Sequence, residues 1–84
     1  MSTDVAGIVS PAELEVWRLI ALGFSRYEIA DRTGAGKSVK TVDNQRFSLR
    51  GKLRTAGIPC RGTSDLTRSA VRYGVIALDP VETT

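Results

Sequence analysis

The sequence predicts an all-α domain of four helices. Four segments open on a helix-capping residue and close on a glycine, apolar residues recur at spacings of three and four, and no segment reads convincingly as a strand. At 84 residues the chain is one domain's worth. A domain of this size buries only about 60% of its unfolded surface, which argues against two lobes around a deep cleft.

The first helix opens at Ser10-Pro11-Ala12-Glu13, with Ser10 as N-cap, Pro11 at the first helical position and Glu13 completing a capping box. Leu14, Trp17, Ile20 and Ala21 form its inward face, and Gly23 stops it with Phe24 folding back. Val16, Leu19 and Leu22 fall on the side away from Trp17 and are expected to form an apolar surface for a partner. Ser25-Arg26-Tyr27-Glu28 repeats the capping-box spacing and opens a short second helix, with Ile29 and Ala30 inward and an end near Thr33-Gly34. The third helix, 38–56, is the longest, with Ser38 as N-cap and Gly57 and Pro59 at its stop. Val42, Leu49 and Leu53 make one stripe. Gly51 inside it costs about 1 kcal/mol against alanine, so either something approaches closely there or the helix bends. The fourth helix runs from Thr63 or Ser64 to Tyr73, with Leu66, Ala70, Val71 and Tyr73 inward and Gly74 as cap. Residues 1–9 read as a flexible leader, 10–76 as the domain and 77–84 as a frayed tail.

Charge is unevenly distributed. Residues 1–31 carry a net −3, residues 62–84 a net −1, and residues 32–61 hold eight cations against Asp43, a net +7. Phosphate backbones reward such a block through counterion release, and a solvated basic helix with no partner is the alternative. With no histidine, one cysteine, no metal-ligand cluster and no paired carboxylates at catalytic spacing, the sequence points away from an enzyme and from any cofactor. Gly34-Ala35-Gly36-Lys37-Ser38 resembles the end of a phosphate loop, but Asp31 stands where that motif needs glycine and a helix precedes it. The segment reads instead as a turn delivering the cap of helix three, with Lys37 near a nucleic-acid phosphate. No segment suits a signal peptide or a membrane span. A cytoplasmic protein with Cys60 as a free thiol is the expectation.

A short capped helix, a glycine-bearing turn and a basic helix are the layout of a helix-turn-helix. The strings SPAELEVWRLIALGFS, YEIADR, SVKTVDNQRFSLRGKL and DLTRSAVRYGV, in that order over residues 10–75, resemble the LuxR/GerE-type DNA-binding domain. The resemblance implies a four-helix fold, transcriptional regulation through double-stranded DNA, and a homodimer through the fourth helix. It places Lys40 and Thr41 at phosphates, and Asp43, Asn44 and Phe47 at base edges. Lys37, Ser38, Ser48, Arg50 and Lys52 complete the expected DNA-contacting set. Asn44 can bond adenine in two places, Asp43 can accept from cytosine N4, and Phe47 can touch a thymine methyl. Asp43 can equally pair within its helix with Lys40 or Arg46, and Phe47 can instead pack under the loop at 55–63. Departures from the family pattern are a turn at Gly34–Ser38 about two residues longer, Gln45 where histidine is common, and a longer loop holding Cys60. Met1 and the short leader suggest a free-standing regulator. The competing expectation is an interaction module on the same scaffold that contacts RNA polymerase or a sigma factor.

Overall fold

The computed structural model describes residues 5–32 and 38–76. A 3-10 turn at Val5–Gly7 is followed by four helices: α1 (Pro11–Ala21), α2 (Arg26–Arg32), α3 (Val39–Thr55) and α4 (Thr63–Arg72). No strand occurs among the described residues. The turn 33–37, and with it Lys37, lies outside them, as does the expected tail 77–84.

The helix starts follow from local chemistry. The Ser10 hydroxyl accepts from the Glu13 N–H at 3.1 Å, and the Glu13 carboxylate accepts from the Ser10 N–H at 2.9 Å. Ser25 and Glu28 repeat this reciprocal pair at 3.2 and 2.8 Å. Ser38 caps α3 by accepting from the Thr41 N–H at 3.1 Å. The N-cap of α4 is Gly62, which offers no side chain, and the preceding Arg61 N–H donates to Asp65 instead. Each pair satisfies amides that have no acceptor inside the helix.

Three helix ends share one backbone solution. At the end of α1, the Gly23 N–H donates to Ile20 and the Phe24 N–H to Leu19. At the end of α3, Gly57 donates to Arg54 and Ile58 to Leu53, and at the end of α4 Gly74 donates to Val71 and Val75 to Ala70. This is the Schellman arrangement, which needs a left-handed residue. Gly23 and Gly57 supply it with φ of 96° and 78°.

Helix α1 is the centre of the molecule and packs against α2, α3 and α4, while α2 packs on α3. Trp17 is fully buried in the same core cluster as Val16, Ile29, Val42, Leu49, Leu53 and Leu66, and its indole N–H donates to the Leu66 carbonyl at 2.9 Å. Two expectations are corrected by this packing. Val16 and Leu19 are buried, so the apolar back of α1 is core rather than a free surface, and only Leu22 remains exposed. A helix surrounded on several sides is apolar on more than one face. Val5 and Val9 are also buried in the same cluster, so the segment read as leader contributes to the core from residue 5. On α4, Ser69 rather than Val71 is fully inward, its hydroxyl donating to the Pro59 carbonyl at 2.8 Å.

Two glycines near the end of α3 should respond oppositely to a methyl group. Gly57→Ala places a side chain at positive φ and is expected to lower stability by about 1–2 kcal/mol. Gly51 lies inside the helix with nothing within 4 Å of an added Cβ, so Gly51→Ala is expected to raise stability by about 1 kcal/mol. Urea midpoints should therefore rank Gly51→Ala above the unsubstituted chain and Gly57→Ala below it.

Candidate nucleic-acid interface

Val42, Leu49 and Leu53 anchor α3 in the core, and that anchoring decides which residues face outward. At 3.6 residues per turn, Lys40, Asn44, Phe47, Gly51 and Arg54 follow one another at spacings of four, three, four and three. All five are exposed, Phe47 at 82%. The stripe is about 21 Å long at 1.5 Å per residue. None of these side chains bonds to another described residue. Phe47 does not pack under the loop at 55–63; its ring stands in solvent. Arg54 was not among the expected contacts, although its spacing of seven from Phe47 and fourteen from Lys40 places it on the same face.

The remaining expected contacts hold α3 in position. Ser48 and Lys52 turn toward α1, where the Ser48 hydroxyl donates to Glu13 at 2.6 Å and the Lys52 ammonium at 2.7 Å. Arg50 donates to the carbonyls of Cys60 at 3.1 Å and Arg61 at 2.9 Å, tying the loop after α3 back to the helix. The Cys60 thiol donates to the Arg50 carbonyl from the other side. Asp43 pairs with neither Lys40 nor Arg46: it meets Arg26 of α2 at 3.1 Å, with both side chains near half exposure. Such a surface pair contributes at most about 1 kcal/mol, and it links α2 to the first turns of α3. Thr41 shares a hydrogen bond of 3.0 Å with the Ser38 hydroxyl beside the helix start.

Charge at the face differs from the sequence total. Lys52 is neutralised by Glu13, Arg32 stacks 4.1 Å over the Phe24 ring, and Arg46 turns inward. Lys40 and Arg54 are left as the cations on the outer stripe. The N-terminal turn of α3 adds the partial positive charge of a helix start.

Glu13 is the most perturbed group at this junction. Only 6% of the residue is exposed. Burial alone pushes its carboxyl up, but donors from Lys52, Ser48 and the Ser10 N–H, with the charge of Lys52, outweigh burial and hold it at about 2. No metal-binding cluster of acidic or cysteine side chains occurs among the described residues, and no described helix is long and apolar enough to cross a membrane. No protein-family model, curated protein or solved structure matches the chain.

Glu13 makes stability depend on pH. Its folded value of about 2 lies below the usual 4.5, so the stabilisation is complete above about pH 4.5 and is lost as pH falls toward 2. At about 1.4 kcal/mol per unit, Glu13→Gln should lower stability at pH 7 by about 3 kcal/mol, an upper figure because Lys52 is half exposed. Urea unfolding at stepped pH should show the gap between variant and parent narrowing between pH 4.5 and 2. A gap constant over that range would exclude the carboxylate as its source.

Proposed function

We propose that this chain is a sequence-specific double-stranded DNA-binding regulator with a LuxR/GerE-like helix-turn-helix, in which α2 supports α3 and the N-terminal half of α3 enters the major groove. The observation that carries the reading is the outer stripe of α3. It combines a cation at each end, an amide, an exposed aromatic ring and a glycine, while neighbouring polar residues on the same helix are engaged inside the chain.

Each position has a physical role in this reading. Lys40 meets a phosphate near the helix start, and Thr41 stands beside it with a hydroxyl. Asn44 reads adenine through paired donor and acceptor atoms, a contact that discriminates by about 1–3 kcal/mol. Phe47 offers its ring to a thymine methyl. Gly51 leaves open space at the middle of the stripe, which lets the sugar-phosphate wall come close. Arg54 meets a second phosphate about 21 Å from Lys40 along the axis. Asp43, paired with Arg26, reads no base while that pair persists.

One expectation loses its motivation. The interaction-module reading was motivated by an apolar back on α1, and Val16 and Leu19 are buried there. The exposed residues of α4 are Thr63, Ser64, Arg68 and Arg72, with no large exposed apolar side chain. A two-fold contact through α4 would set this polar face, with Asp65 beside Arg68 and Arg72, against its own copy. The proposal is framed for one chain on one site.

Selection of binding sites from random duplexes at stated salt tests the reading. Lys40→Ala and Arg54→Ala should weaken binding to all duplexes, each reducing the salt slope by about one unit. Asn44→Ala should relax preference at one base pair. Gly51→Ala should bind more weakly although it folds more stably, a combination that general destabilisation does not produce. Parent-like binding by Lys40→Ala and Asn44→Ala would remove α3 as the DNA-reading element.

A further inference from the structure

Where α2 meets the flank of α3, three side chains form a cluster beside the outer stripe. Arg26 opens α2. Its Nη1 donates to the Asp43 carboxylate at 3.1 Å, and its Nη2 donates to the Tyr27 hydroxyl at 3.3 Å. The guanidinium carbon also lies 5.2 Å from the centroid of the exposed Tyr27 ring. The fork is therefore held from two sides, by a carboxylate on α3 and by an aromatic neighbour on α2. A planar guanidinium suits both contacts, whereas an ammonium cannot form the fork.

Asp43 stands where it would otherwise reach a base. It precedes Asn44 by one residue, about 100° around the helix, so it flanks the stripe rather than opposing it. A carboxylate in the major groove accepts from cytosine N4. Its bond to a guanidinium is charge-assisted on both sides and stronger than a bond to a neutral amine. Arg26 therefore draws the carboxylate toward α2 and competes with a cytosine for it. The pair is near half exposure and adds little to folding, so its effect on recognition is separable from its effect on stability.

We infer that Arg26 is a positioning residue that sets base specificity through Asp43: by holding that carboxylate on α2, it keeps the chain from selecting cytosine at the base pair Asp43 faces. The inference rests on the DNA reading of α3 and deepens it. Specificity on this face then comes from two sources. Asn44 and Phe47 favour particular bases, while Arg26 silences a third side chain that would favour another. Removing Arg26 adds a preference instead of only removing a contact.

The test selects binding sites from random duplexes at stated salt with the full chain, Arg26→Met, Asp43→Ala and the double variant. The parent and Asp43→Ala should select the same bases, because Asp43 reads none. Arg26→Met should gain cytosine at one position, about fivefold over the other bases, and the double variant should lose that gain. Arg26→Lys keeps a cation beside Asp43 and should select as the parent does. Arg26→Ala takes the place of Arg26→Met if the latter does not fold. A purely structural role for Arg26 would change affinity for all duplexes alike and add no base preference. Three results would overturn the inference: parent-like preference in Arg26→Met, a preference shifted by Asp43→Ala alone, and a cytosine gain that persists in the double variant. Each leaves the DNA reading standing when the parent still selects a site. A parent chain that selects no duplex overturns that reading and this inference together.

Discussion

The position of α3 depends on one buried carboxylate. Glu13 accepts from the Ser10 N–H, the Ser48 hydroxyl and the Lys52 ammonium, all within 2.9 Å. A carboxylate this buried is tolerable only when its oxygens are satisfied and a cation is near. The same oxygens that close the capping box of α1 therefore also hold α3. Turning α3 by one residue, about 100°, would move Ser48 and Lys52 away from Glu13 and bury a different set of side chains. Glu13 thus reinforces the rotation that Val42, Leu49 and Leu53 set, and with it the face that carries Lys40, Asn44, Phe47, Gly51 and Arg54, although it lies on another helix and touches none of them.

Seen from α3, the basic block serves two purposes. Lys52 balances Glu13, and Arg50 anchors two loop carbonyls. Arg26 from outside the block takes up its one acid, Asp43. Hydrogen bonds to carbonyls leave the Arg50 charge in place, so the long-range field persists even where a side chain has no freedom to reach a ligand. Field strength and contact chemistry therefore separate on this helix. The field comes from most of the block, while short-range discrimination falls to a few uncommitted side chains.

How far the sequence is legible follows the range of each interaction. Ser10 with Glu13, Ser25 with Glu28, and Gly23 with Phe24 act within a few residues, so spacing alone identifies them. The outward stripe is nearly legible as well, because Val42, Leu49 and Leu53 set its phase; Arg54 follows from continuing that phase by one more turn. The partners of Ser48, Lys52, Arg50 and Asp43 lie on other elements, and local spacing carries no information about them. Val16 and Leu19 were misread for a related reason. A helical wheel divides α1 into one inner and one outer side, whereas three helices pack around it. Phe47 could face either way from sequence, and the path of the loop after α3 leaves it outside. The turn between α2 and α3 lies beyond the described residues, and so does the role expected of Lys37.

The buried indole of Trp17 has a practical consequence. It is the only tryptophan in the chain, and it joins α1 to the Leu66 carbonyl of α4 at 2.9 Å. Its fluorescence therefore reports the docking of the first and last helices, the pair most separated along the chain. Opening of that seam exposes the ring to water and shifts its emission to longer wavelength, while events confined to the outer side of α3 leave it nearly silent. The protein thus carries an intrinsic optical label that separates integrity of the scaffold from occupancy of its exposed helix.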